Sequence, residues 1–175
     1  QVVLKIASDK ILHKSDIGGV KVGIESEEEA KATFDEIIAN AKKAHPDIVP
    51  DGVEVQKMME TGQEVIVGMI KDKQFGPMIA FGMGGIYVNL IEDVSFKLAN
   101  GISSQEIDEQ INDTKVSELL KGYRGEAPCD IDAVKEAIKR VARLTLDFPE
   151  ISELDINPIF VYENGSSALD IKIKL

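Results

Sequence analysis

The stretch from residue 53 to residue 98 constrains this chain most. Five short apolar runs, 53–59, 64–71, 77–82, 86–91 and 93–98, follow one another with turns of one to five residues between them. A parallel crossover needs roughly a dozen residues or more. Gaps this short predict strands that pair mostly antiparallel, with turns at Glu60–Gln63, Asp72–Gly76 and Met83–Gly85. Ahead of the meander, 1–7 and 20–24 read as strands around a loop at 8–19. Ser26 and Glu29 then form an S-x-x-E pattern that opens a helix running to about Ala44. Ala30, Phe34, Ile37, Ile38 and Ala41 fall on one face of that helix, and His45-Pro46 and Pro50-Asp51-Gly52 break it. Behind the meander, short helices are expected near 103–111 and 113–121, a loop at 122–128, and a helix at 131–147. The core candidates of this last helix are Val134, Ile138, Val141, Leu144 and Leu146. Segments 154–162 and 167–173 read as a hairpin around Glu163-Asn164-Gly165. Antiparallel sheets with segregated helices make the class α+β.

Composition narrows the function. The net charge of −11 repels phosphate polymers, which argues against a nucleic-acid partner but leaves room for a small nucleotide whose charge a metal ion screens. No apolar run reaches the ~20 residues of a membrane span, so no membrane partner is expected. A single cysteine, Cys129, rules out an internal disulfide and points to a reducing, cytoplasmic setting in which Cys129 serves packing. The chain enters a strand directly after Gln1, the pattern expected of a fragment or of a chain whose natural start has been removed.

Four groups of residues carry chemistry. Lys5, on a strand ahead of His13-Lys14-Ser15-Asp16-Ile17-Gly18-Gly19, could aim its ammonium at a phosphate while the glycine amides close on anionic oxygens. A Gly-Gly turn with solvated charges explains the same residues, and without context it is preferred. Asp155 and Asn157, two apart on a strand, share a face, and the hairpin can bring Asp170 beside them. Two carboxylates and an amide oxygen suit Mg2+, which keeps waters and shares substrate phosphates. The alternative, a solvent-facing polar edge, is weakened by the apolar Leu154, Ile156, Pro158 and Ile159 around them. The Met-rich end of Glu54–Met59 could wall a flat aromatic base, although sequence alone favours core. The glycines of Phe75-Gly76-Pro77, Phe81-Gly82-Met83-Gly84-Gly85 and Arg124-Gly125-Glu126 mark tight turns or close approach of a ligand, with turns the safer reading.

Taken in order, VVLKIAS, ILHKSDIGGVKVGI, EVQKMMETGQEVIVGMIKDKQFGPMIAFGMGGIYV, DVSFKL, RGE, ELDINPIFVY and LDIKI resemble the β part of ADP-forming acyl-CoA synthetases, with acetyl-CoA synthetases of archaea as members. The resemblance implies an ATP-grasp fold of two α+β lobes. Residues 1–52 would form part of the first lobe with the phosphate and relay loop, and 53–175 the second lobe with nucleotide and Mg2+ residues. The first lobe would be incomplete, because family β chains carry a segment ahead of the VVLKI strand. It also implies the reaction acyl-CoA + ADP + phosphate ⇌ acid + CoA + ATP. A CoA-binding α subunit or fused module would be the partner in a hetero-oligomer and would supply the acyl-CoA and carboxylic acid sites. By position, His13 would be the relay histidine, Lys5, Gly18 and Gly19 would face nucleotide phosphates, and Gln56, Lys57, Met58 and Met59 would read the adenine edge. Glu64 would sit near the nucleotide, and Asn157, Asp170 and Asp155 would hold Mg2+ for ATP or ADP. An imidazole suits such a relay, being a good nucleophile at neutral pH. Departures from the family pattern are Asn89 for an acid, Asn100 for a proline and Lys172 for an arginine. Asn89, Lys172 and the missing front segment motivate a competing reading as a non-catalytic, synthetase-like binding or regulatory module. A succinyl-CoA synthetase-like or carboxylate–amine ligase is a third reading, against which the HKSD loop argues. His45, at a helix end, reads as a capping or surface residue.

Overall fold

The computed structural model describes residues 1–11, 14–85 and 91–175. His13 and Asn89 therefore lie outside the described residues, as does all but Ile91 of the strand expected at 86–91. The chain divides into two compact units, Gln1–Glu60 and Thr61–Leu175.

The first unit is a three-stranded antiparallel sheet covered by one helix. Strand β1 (Val2–Ala7) lies between β2 (Val20–Ile24) and β3 (Gly52–Lys57). The expected boundary after residue 52 falls inside this sheet. β3 pairs with β1 along its whole length, from Val2 opposite Lys57 to Ala7 opposite Gly52, so it belongs with the first unit. Helix α1 (Glu27–Ala44) begins where expected, since the Ser26 side chain accepts from Glu29 N at 3.1 Å. The Glu29 carboxylate reaches one residue further back than a capping box requires and accepts from Glu25 N at 2.9 Å. Three glutamates in its first turn and Lys42 and Lys43 in its last complement the helix dipole. Leu4 and Ile6 of β1 pack against Ile37 and Ala41 of α1. Phe34, expected in this core, is 43% exposed. The buried stripe is centred on Thr33, Ile37 and Ala41, and a three-stranded sheet is too narrow to cover the flank beyond it. Phe34 instead lines an open apolar groove with Leu4, Ala30, Val53 and Val55.

The second unit is a six-stranded antiparallel sheet with helices on one face. Its strands are β4 (Gln63–Asp72), β5 (Gly76–Met83), β6 (Val94–Leu98), β7 (Glu153–Val161), β8 (Ser166–Ala168) and β9 (Ile171–Lys174). The order runs β6-β5-β4-β7, and β8 and β9 succeed one another along the outer side of β7. Among the described residues its longer helices are α2 (Ser104–Asn112), α3 (Val116–Leu120) and α4 (Ile131–Asp147). Val65, Val67 and Met69 of β4 and Ile79 and Phe81 of β5 alternate into one core with Ile107, Leu120, Val134, Ile138 and Val141. Leu146, expected in this core, is 43% exposed, and Thr145 takes its place. Thr145 falls one turn after Val141, and its hydroxyl donates to the Ala142 carbonyl at 2.9 Å, so burial leaves it satisfied.

One irregularity positions the functional residues. Between Val65 and Val67 the partner on β7 moves from Ile159 to Ile156, so β7 carries one extra residue at Asn157-Pro158. A bulge of this kind re-aims side chains, and it lets Leu154 and Ile159 both enter the helix-covered core although they are an odd number of residues apart.

Candidate functional site

In the second unit the face of the sheet away from the helices carries Asp155, one of the expected metal residues. Strand alternation places Asp155 on this face, opposite the buried Leu154, in register with Gly68 on one side and Lys172 on the other. Glu64, one residue before the buried Val65, shares it. Gly68 is required by close strand packing, since a Cβ there would sit 2.9 Å from the Leu154 carbonyl oxygen.

Asn157 is fixed by its side chain. Its Oδ1 accepts from Gly85 N at 2.8 Å, across 72 residues of sequence. Its own backbone N–H donates to the Asp170 carbonyl at 3.1 Å, and Leu169 N–H donates to the Pro158 carbonyl at 3.0 Å, which brings the short segment between β8 and β9 against the bulge. Asp155 Oδ1 is buried and accepts no hydrogen bond. Burial pushes the Asp155 carboxyl above the usual aspartate range. Lys172 counters this, and Glu153 and Asp170 add to the rise. An orphaned buried oxygen, a second carboxylate close enough to be felt, and an amide oxygen held in place fit a hard divalent cation. Among the described residues no three Asp, Glu, His or Cys side chains gather in one cluster.

Glu64 is placed by close packing. Gly84 N donates to the Glu64 carbonyl at 3.1 Å, and the Glu64 carboxylate lies directly over Gly85, where a side chain would run into it. Sequence reasoning missed Asp93. It is buried, its carboxylate accepts from Lys115 N at 2.8 Å and Val116 N at 2.9 Å, and its carbonyl accepts from Met83 N at 3.0 Å. Only its position beside the glycine-rich turn could have signalled it.

In the first unit the expected nucleotide residues fall on β1, β3 and the loop before β2. Lys5 alternates with the buried Leu4 and Ile6, which turns it to the face away from α1, between Val20 and Glu54. Gln56 shares this face and donates from Nε2 to Glu54 Oε1 at 2.7 Å. Lys57 pairs with Val2 at the end of β3 and is exposed. Met58 and Met59 are half-buried and belong to neither core, contrary to the preference from sequence alone. The Met58 amide donates to the Gln1 carbonyl at 3.2 Å. Gly18 and Gly19 depart from expectation as donors. Gly18 N bonds the Ser15 carbonyl at 3.1 Å and Gly19 N the Lys14 carbonyl at 2.8 Å, so both amides are consumed inside the turn. Gly19 is needed for packing, because a Cβ there would sit 2.8 Å from Ile6 Cγ2 and 2.8 Å from the Lys14 carbonyl oxygen.

Two α+β units built on antiparallel sheets agree with the plan of an ATP-grasp domain, and the profile of that domain family matches residues 1–175. The chain is 47% identical over 174 residues to the β subunit of ADP-forming acetate–CoA ligase I of Pyrococcus furiosus, covering 99% of this chain and 75% of the subunit. It is also 47% identical to ADP-forming acetate–CoA ligase I of Archaeoglobus fulgidus, but spans only 25% of that longer protein. Among solved structures, an acetyl-coenzyme A synthetase of Ca. Korarchaeum cryptofilum with coenzyme A, Ca-AMPCP and HgCl+ superposes with a TM-score of 0.95 at 43% identity, over 100% of this chain and 76% of that one. The same enzyme with coenzyme A and Mg-AMPPCP, its phosphohistidine segment pointing towards the nucleotide binding site, gives a TM-score of 0.86 at 41% identity, over 100% of this chain and 76% of that one. The chain belongs to the family of ADP-forming acetate–CoA ligase β subunits.

Proposed function

We propose that this chain is the nucleotide-handling β part of an ADP-forming acyl-CoA synthetase, acting in the cytoplasm with a CoA-binding partner subunit or fused module as a hetero-oligomer. The net reaction is acyl-CoA + ADP + phosphate ⇌ acid + CoA + ATP. The phosphoryl group reaches ADP from a phosphohistidine, and His13 is the relay residue on this chain. The His13 imidazole nitrogen takes the phosphoryl group from the partner and yields it to the terminal oxygen of ADP, so the P–N bond breaks as the new P–O bond forms. Asn157, Asp170 and Asp155 hold Mg2+, which when bound neutralises phosphate charge and aligns the oxygens for in-line transfer. Lys5 pairs with phosphate oxygens, and the backbone following Gln56, with Met58 and Met59 as apolar wall, receives the base. Gly18 and Gly19 shape the His13 loop in place of donating to phosphate.

The observation that carries this reading is the unpartnered, buried Asp155 Oδ1, with the Asn157 amide oxygen fixed by Gly85 two residues further along the strand. The family's nucleotide-and-metal complexes support it. The test is ADP titration of the full-length protein by calorimetry with and without Mg2+, followed by ATP formation from acyl-CoA, ADP and phosphate. Mg2+-dependent ADP binding that weakens at least about 10-fold in D170A is expected. Turnover should be abolished in H13A while ADP still binds. Full turnover by H13A would remove His13 from the relay, and metal-independent ADP binding would remove the metal pocket.

A further inference from the structure

Three consecutive residues of the glycine-rich turn are tied to three different parts of the second unit. Met83 N donates to the Asp93 carbonyl at 3.0 Å, Gly84 N to the Glu64 carbonyl at 3.1 Å, and Gly85 N to Asn157 Oδ1 at 2.8 Å. Gly85 has φ +81°, and the space beside its Cα is taken by the Glu64 carboxylate. The position therefore excludes a side chain twice over, by backbone conformation and by volume. An amide side chain offers oxygen at one edge and two N–H donors at the other. A donor aimed at Oδ1 selects the oxygen edge and occupies one of its two lone pairs, leaving the second for a ligand.

We infer that Gly85 is a positioning residue for the proposed metal pocket: its amide holds Asn157 with the oxygen presented and the N–H edge turned away, and its missing side chain lets Glu64 lie beside it. The inference rests on the proposed role of Asn157 as a metal ligand. Without the Gly85 amide the Asn157 side chain is free to turn over and offer N–H groups to a cation, which repels it. A carboxylate in place of the amide has oxygen at both edges and cannot make this error.

The experiment is a double-mutant cycle on the full-length protein, reading the Mg2+ concentration that half-saturates ADP binding. G85A is expected to raise that concentration about 10-fold or more in the wild-type background and less than about 3-fold in the N157D background. Equal fold-changes in the two backgrounds would make Gly85 a matter of space alone and overturn the inference. A second arm needs neither metal nor nucleotide and stands if G85A does not fold. Hydrogen exchange at the Gly85 amide, read by NMR on the metal-free protein, is expected to speed up about 10-fold or more in N157A. An unchanged rate would show that the bond does not hold in solution and would overturn the inference. Wild-type ADP binding that ignores Mg2+ sinks the metal reading instead, and the exchange arm then decides whether Gly85 positions Asn157.

Discussion

Asp155 sits in a conflict between stability and use. Its carboxyl is pushed above the ordinary value of 3.8, first by burial, so the folded chain holds a proton that the unfolded chain releases. Folding stability therefore falls as pH rises from the ordinary value through the raised one. D155N removes the buried charge. Screened by solvent and by Lys172, the charge still costs stability, so D155N should unfold at a higher urea concentration than wild type at pH 7, with Mg2+-dependent ADP binding weakened. A D155N protein less stable than wild type at pH 7 would show that the carboxylate is not strained. Gly19 makes the opposite case, a small residue demanded by packing. G19A forces a methyl against Ile6 and the Lys14 carbonyl and should cost about 1–3 kcal/mol, seen as a lower midpoint in chemical denaturation. Residues of this kind separate what could be read in advance from what could not. Asp155 and Asn157 stand out in the sequence because polar residues two apart inside apolar sequence demand partners, and Asn157 finds one in Gly85 N. The spent amides of Gly18 and Gly19 do not, because a glycine pair looks the same whether its N–H groups face a ligand or a neighbouring carbonyl.

Elements were legible where one local rule sufficed. The helices opening at Ser26 and Ser103 have serine caps with a glutamate three residues on, and in the second the capping box closes reciprocally, with Ser103 N donating to Glu106 at 2.8 Å. Phe34 was misplaced because the width of the facing sheet decides how much of an apolar stripe is covered, and Leu146 because it lies at the edge of a stripe that Val134, Ile138, Val141 and Thr145 fill. The tie between α4 and the β7–β8 turn also escaped notice. Asp130 caps α4 through Ala133 N at 3.0 Å and accepts from Gly165 N at 2.8 Å. These two backbone donors hold its carboxyl below the ordinary 3.8. Its stabilising contribution is full above that value and is lost as pH falls through the lowered one. D130A should therefore lower the melting temperature at neutral pH, and the difference from wild type should shrink in acid. A constant difference from pH 7 to pH 2 would mean that the charge of Asp130 is irrelevant to the tie.

At the scale of the molecule, the antiparallel α+β plan followed from turn lengths, whereas the division after Glu60 did not. Sequence places β3 beside its neighbour in order, β4, but the hydrogen bonds of β3 run to β1. The two units are unequally built. Among the described residues the core of Gln1–Glu60 contains six buried apolar residues and that of Thr61–Leu175 eighteen, and burial is what resists opening. Amides of β4, β5 and α4 should therefore exchange with solvent at least about 10-fold more slowly than those of β1 and β3, as hydrogen-exchange mass spectrometry can measure. Uniform rates along the chain would contradict this ordering.

Asp170 occupies the two-residue gap between β8 and β9, where its carbonyl accepts from Asn157 N and, among the described residues, no hydrogen bond of its side chain holds the fold. Selection can therefore rewrite that side chain with little penalty to folding. A library randomised at this codon should return mostly soluble proteins that differ in ion preference, which makes it a natural starting point for changing the metal this domain accepts.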